Sequence, residues 1–74
     1  MTLKEGKIGE NYIVNALNLD MVTMRRLEAL GLTKGTKIKV LNRSRSASII
    51  LMVRGSRLAL GRGIARSIEM KKAN

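Results

Sequence analysis

The run from Asp20 to Val40 constrains the fold most, because it reads as one capped helix that passes through two glycine turns into a strand. Asp20 is a good N-cap: its carboxylate can accept from the orphan amides of the first helical turn, and Leu19 before it can staple onto Met24. At the far end, Gly31 suits the left-handed position that follows the helix, after Leu30. Leu32 is spaced to reach back to Leu27, as a Schellman motif requires. Gly35 then reads as a second turn glycine, after which Ile38 and Val40 alternate with lysines as strand residues do.

The remaining sequence supplies strands. Residues 12–17 form a first strand, with Tyr12, Val14 and Ala16 sharing one face at the period of two. Residues 37–42 form a second strand, and residues 43–47 are polar and loop-like. Residues 48–53 form a third strand whose unbroken apolarity predicts burial on both faces. A hairpin centred on Gly55 and Ser56 follows, with glycine first as a type II′ turn requires, and the chain returns along residues 57–60. Residues 61–66 read as a single helical turn before a last strand over 67–70, and residues 71–74 as a frayed tail. The class is mainly β (α+β by strict count), a single domain over 1–74: a small, strongly bent five-stranded sheet or barrel with one inserted helix.

Composition narrows the function. Hydrophobic residues make up 45% of the 74-residue chain, yet Tyr12 is its only aromatic, so the core must come from Leu, Ile, Val, Met and Ala. Met21, Met24, Met52 and Met70 read as pliable core fillers. With no cysteine, neither a disulfide framework nor a thiolate site is available. The longest apolar run, residues 49–53, falls far short of the ~20 residues that span a bilayer, and no signal peptide is read at the start. These features predict a cytoplasmic protein. The net charge of +10 attracts polyanions: nucleic acid, an anionic membrane surface or an acidic protein face.

The order of strand, Arg25-Arg26-Leu27 through Leu30-Gly31-Leu32 and Gly35, Val40, Val53-Arg54-Gly55, Leu58-Ala59-Leu60, Ala65 and Ile68 resembles the FeoA family of bacterial ferrous iron transport. The most specific part is the Arg-Leu-x-x-Leu-Gly-Leu-x-x-Gly core from Arg26 to Gly35. The resemblance implies an SH3-like β-barrel with an inserted helix. It also implies a cytoplasmic accessory protein, membrane-associated only through its partner, that binds the cytoplasmic part of an FeoB-like ferrous iron permease with a GTPase domain. No enzymatic activity and no cofactor come with it, and weak self-association is compatible with it. Similar barrels also occur at the ends of metal-dependent repressors, but no DNA-binding helix pair is read in this chain.

A family-level association with transition metal ions finds no ligand set here. There is no His and no Cys, and the carboxylates Glu5, Glu10, Asp20, Glu28 and Glu69 are scattered along the chain. Ser and Thr have no histidine to activate them, so catalysis is not expected. Binding remains, and the candidate groups are Arg43 and Arg45 in the loop, Arg54 and Arg57 about the hairpin, and Arg62 and Arg66 around the last turn. Their forked guanidinium groups suit carboxylates on a transporter. The alternative from another class is a basic barrel that binds nucleic acid, which Tyr12 alone serves poorly as a stacking platform.

Overall fold

The structure, a computed structural model, describes residues 1–44 and 48–73. A 3₁₀ turn over Leu3–Glu5 leads into β1 (Asn11–Leu17), α1 (Met21–Ala29), β2 (Lys37–Arg43), β3 (Ile49–Val53), β4 (Ser56–Leu60), the one-turn helix α2 (Arg62–Ala65) and β5 (Ile68–Lys72). The five strands form one antiparallel sheet in the order β4-β3-β2-β1-β5, with the architecture of a small SH3-like barrel. Two bulges bend it: Asn15 is an extra residue between Val14 and Ala16 opposite β5, and Leu41 is one between Val40 and Asn42 opposite β3. β4 and β5 lie at opposite edges of the sheet. The N-terminal residues cover part of the β5 edge, with Met70 N–H donating to Met1 O at 2.7 Å and Thr2 bridging to Glu69.

The helix ends where its local chemistry dictates. Gly31 N–H donates to Glu28 O and Leu32 N–H to Leu27 O, each at 2.9 Å, which is the Schellman pair of bonds. Gly31 takes φ +95°, a conformation that costs a side-chain-bearing residue about 1–2 kcal/mol. The reversal drives Leu32 into the core beside Leu27, both buried. Gly35, at φ +90°, then turns the chain so that its N–H reaches Val14 O and Thr36 O receives Val14 N–H. The exit loop of the helix is thereby laid against β1 before β2 begins.

The core fills the concave side of the sheet. Tyr12 and Val14 come from β1, Ile38 and Val40 from β2, Ile49, Leu51 and Val53 from β3, and Ile68 and Met70 from β5, with Leu3, Leu60 and Ala65 closing the ends. Each fully buried aliphatic side chain contributes about 1.5–3 kcal/mol from area removed from water. Tyr12 is entirely enclosed, and its hydroxyl accepts from Lys7 N–H at 2.8 Å. Thr36, the buried polar residue, bonds to Thr33 Oγ1 at 2.8 Å and donates to Gly31 O at 3.4 Å, so the turn carries its own polar partners.

Several sequence expectations are corrected. The hairpin turn is centred on Arg54 and Gly55, not on Gly55 and Ser56: Val53 pairs with Ser56, and the two central residues have φ of 49° and 82°, the signs of a type I′ turn. β3 is buried on one face only; Ile50 and Met52 are half-exposed, because the sheet is covered on its concave side alone. In β1 the bulge at Asn15 breaks the period of two, so Leu17 packs on the core and Ala16 is only partly covered. β5 continues through Lys71 and Lys72, which pair with Ile13 and Tyr12 where a frayed tail was expected; Asn74 lies outside the described residues. Of the four methionines read as core fillers, Met70 is buried, Met24 and Met52 are half-buried, and Met21 is exposed.

Gly31→Ala and Gly35→Ala separate backbone strain from contact. Both force alanine into the left-handed region, at about 1–2 kcal/mol. Only at position 31 does the added Cβ also meet a neighbour, the Cδ of Arg54 at 2.9 Å, while nothing lies within 4 Å at position 35. Urea unfolding is expected to rank Gly31→Ala below Gly35→Ala in stability; equal losses would mean that the Arg54 stem moves aside without cost.

Candidate interaction surface

Helix α1 buries one residue, Leu27. Thr23 and Met24, one turn earlier, are half-covered on the same side. At 3.6 residues per turn Arg25 falls opposite Leu27 with Met21 and Val22 beside it, and these two apolar side chains are 59% and 68% exposed. Arg26 is exposed as well. The outward side of the helix is therefore apolar and charged together, with the exposed Glu28 one turn from Arg25, unlike the purely polar face that a surface helix normally shows to water.

Both ends of α1 are anchored by arginine-bearing segments. At the C-terminal end, Arg54 Nε donates to Gly31 O at 3.2 Å and its aliphatic stem lies over the glycine. This places a cation on the carbonyl end of the helix, where the dipole favours it. The contact explains an arginine at φ 49°, where asparagine or glycine is the usual occupant. At the N-terminal end, Asn18 N–H donates to Ser67 O at 2.8 Å, which sets the α2–β5 connection, with Arg66 adjoining Ser67, against the lead-in to Asp20. Asp20 caps the helix through its carboxylate, which accepts from Thr23 N–H at 3.1 Å.

The structure divides the arginines singled out from the sequence. Arg43 and Arg62 meet, with Lys4, Ser44 and Ile49, around a hollow of about 180 Å³. Arg57 borders a separate hollow of about 340 Å³ with Leu41, Asn42 and Ile50. Arg54 sits at the C-terminal end of α1, Arg66 is exposed at the end of α2, and Arg45 lies outside the described residues. Sequence reasoning missed Met21, Val22, Arg25 and Arg26; the signal was available, since placing Leu27 inward on a helical wheel turns all four outward. Lys4 carried no such signal, because only the tertiary fold brings the N-terminal turn to β2.

Among the described residues, no group of three carboxylates gathers that could hold a metal ion, and no helix is long and apolar enough to cross a membrane.

The family model of the FeoA domain matches residues 1–72. The chain belongs to the FeoA family. It is 36% identical over 67 residues to a Methanocaldococcus jannaschii protein named Fe(2+) transport protein A, which covers 90% of this chain and 80% of that protein. Among solved structures, the FeoA protein of Chlorobium tepidum superposes with a TM-score of 0.93 at 31% identity, covering all of this chain and 71% of its own. A crystal structure of an iron uptake regulatory protein, also FeoA, gives 0.86 at 32% identity over 99% of this chain and 96% of its own. The repressor ScaR, in a zinc-bound form, contains the same fold within a longer chain: the TM-score is 0.87 at 30% identity, over 99% of this FeoA-family chain but 37% of ScaR.

Hydrogen bonds from the Thr23 hydroxyl and then its backbone N–H hold the Asp20 carboxyl below its ordinary value of 3.8. A depressed folded-state value means that the cap stabilises α1 above the unfolded-state range and is lost as pH falls through the folded value. The helix carrying the outward face should therefore loosen on acidification below about pH 4. Asp20→Asn, which caps without titrating, is expected to flatten the acid limb of helix stability followed by NMR at Val22 and Met24; an unchanged acid limb would remove Asp20 as its source.

Proposed function

We propose that this chain is a non-catalytic accessory protein of ferrous iron transport that docks on the cytoplasmic part of an FeoB-type permease bearing a GTPase domain. The outer face of α1 is the docking surface. Family membership and the iron transport named in relatives support the partner. The observation that carries the surface is the exposure of Met21 and Val22 beside Arg25 and Arg26 on a helix fixed at both ends.

The chemistry is that of a moderate protein interface. Two apolar side chains offer area to remove from water, and the arginines around them suit forked pairing with carboxylates on the partner's rim. A net charge of +10 speeds encounter with an acidic surface and makes it salt-sensitive. Arg54 is set aside because its bond to Gly31 O holds it at the C-terminal end of the helix, whereas Met21 and Val22 lie in the first turn.

The alternative of nucleic-acid binding is weakened by one observation: Tyr12, the only aromatic, is 0% exposed, so no ring is offered for base stacking.

Capture by the full-length permease in detergent tests the proposal. Val22→Ser with Arg25→Glu is expected to weaken binding at least tenfold at low salt while Arg57→Glu changes it less than twofold. Equal affinity for both variants would reject the α1 surface; no capture of the unaltered chain, together with tight and steeply salt-dependent binding to random oligonucleotides, would replace the reading with the nucleic-acid one.

A further inference from the structure

We propose that the hollow between Lys4, Arg43 and Arg62 is a binding site for a phosphate group. The inference does not depend on the docking surface: Arg43 pairs with Ile49 at one end of the β2–β3 ladder, whereas the Arg54 hairpin closes the other end.

Three cations from three separate elements converge there: Lys4 from the N-terminal 3₁₀ turn, Arg43 from the last position of β2 and Arg62 from the first position of α2. No carboxylate lines the hollow among the described residues. The carboxylate next to Lys4 in sequence is held elsewhere, since Glu5 Oε1 accepts from Thr2 N–H at 2.7 Å and the Thr2 hydroxyl at 3.2 Å. Like charges brought together without a counter-charge repel, and a bound anion relieves that repulsion.

Arg43 is aimed without being neutralised. Its Nη2 donates to the carbonyl of Gly6, a neutral acceptor, which fixes the guanidinium while leaving other donors of its fork for a ligand. Gly6 itself is tightly enclosed: an added Cβ would meet Val40 Cγ2 at 3.1 Å and Met70 Cε at 3.3 Å, so the carbonyl that orients Arg43 is held by the core. Ser44 brings a hydroxyl whose oxygen accepts from Ser48 N–H at 3.2 Å. Ile49, 3% exposed, forms an apolar wall that keeps part of the solvent screening away.

The chemistry selects the ligand. A phosphate monoester, carrying close to two negative charges and accepting hydrogen bonds from several directions, matches three convergent cations better than a single carboxylate does. A hollow of about 180 Å³ is smaller than the ~300–1,000 Å³ of sites that enclose a drug-sized ligand, so it seats the phosphate and leaves the rest of a larger molecule outside.

The test is an NMR titration of the full chain with inorganic phosphate, sodium chloride holding ionic strength constant. Saturable shifts confined to the amides of Lys4, Arg43, Ser44 and Arg62 and to the two arginine Nε groups are expected. Lys4→Gln with Arg62→Gln, two exposed positions whose replacement leaves the core intact, should weaken binding at least tenfold with the spectrum otherwise unchanged. Arg43→Lys, which keeps the charge and loses the fork, should weaken it as well. Parallel arms with a nucleoside triphosphate and with phosphatidic acid in phosphatidylcholine vesicles identify the carrier as the one that binds at least tenfold tighter than inorganic phosphate. Shifts spread over basic residues at large, the same shifts from chloride alone, or undiminished affinity in the double variant would overturn the site.

Discussion

The hydrogen bond from Leu32 N–H to Leu27 O, closing around Gly31, is the contact on which the rest of the arrangement depends. It stops α1 after nine residues and sends Leu32 inward next to the one helical side chain that is buried. It also sets the direction in which residues 33–36 leave, so that Gly35 and Thr36 bond to both polar groups of Val14. Helix, exit loop and first strand are joined by backbone bonds before any long-range packing is counted. A short helix of this length is marginal alone, and the packing of Leu27 in the core supplies what it lacks.

The β3–β4 hairpin is fitted to that helix end. A type I′ turn with arginine at its first central position is strained on its own, and the bond to Gly31 O together with the helix dipole offsets the strain. Glycine at position 31 serves both partners, since it accepts the left-handed conformation and leaves room for the Arg54 stem. With the helix held through Leu27, Leu32 and Arg54, its opposite side needs no contact with the sheet. That is why Met21, Val22, Arg25 and Arg26 can face outward. The far end of the β2–β3 ladder carries a different chemistry, in which Lys4, Arg43 and Arg62 surround a small hollow.

What could be read from the sequence was what local chemistry decides. Asp20, Gly31 and Gly35 announced themselves because caps and left-handed turns select residues by conformation, and Leu27 and Leu32 followed from the spacing those caps imply. The five-stranded class followed from strand periodicity and turn glycines, and the family was visible in the Arg26 to Gly35 core. The hairpin was misplaced by one residue because arginine at positive φ is rare, and its reason, the carbonyl of Gly31, lies 23 residues away in sequence. The bulges at Asn15 and Leu41 leave no local mark, and the one at Asn15 shifts which side chains of β1 face inward. Met21 was misread as core because methionine fills gaps well; the geometry of the helix, not its composition, puts it outside. The grouping of Lys4 with Arg43 and Arg62 is a product of tertiary folding.

Amide hydrogen exchange in Arg54→Asn reads the joint between hairpin and helix end, because asparagine relaxes the type I′ turn while removing the bond to Gly31 O. Faster exchange is expected at Leu30, Gly31 and Leu32, with protection retained across the ladder from Ile38–Val53 to Arg43–Ile49. Unchanged protection at those three amides would overturn this dependence and mean that the helix end is held without the hairpin.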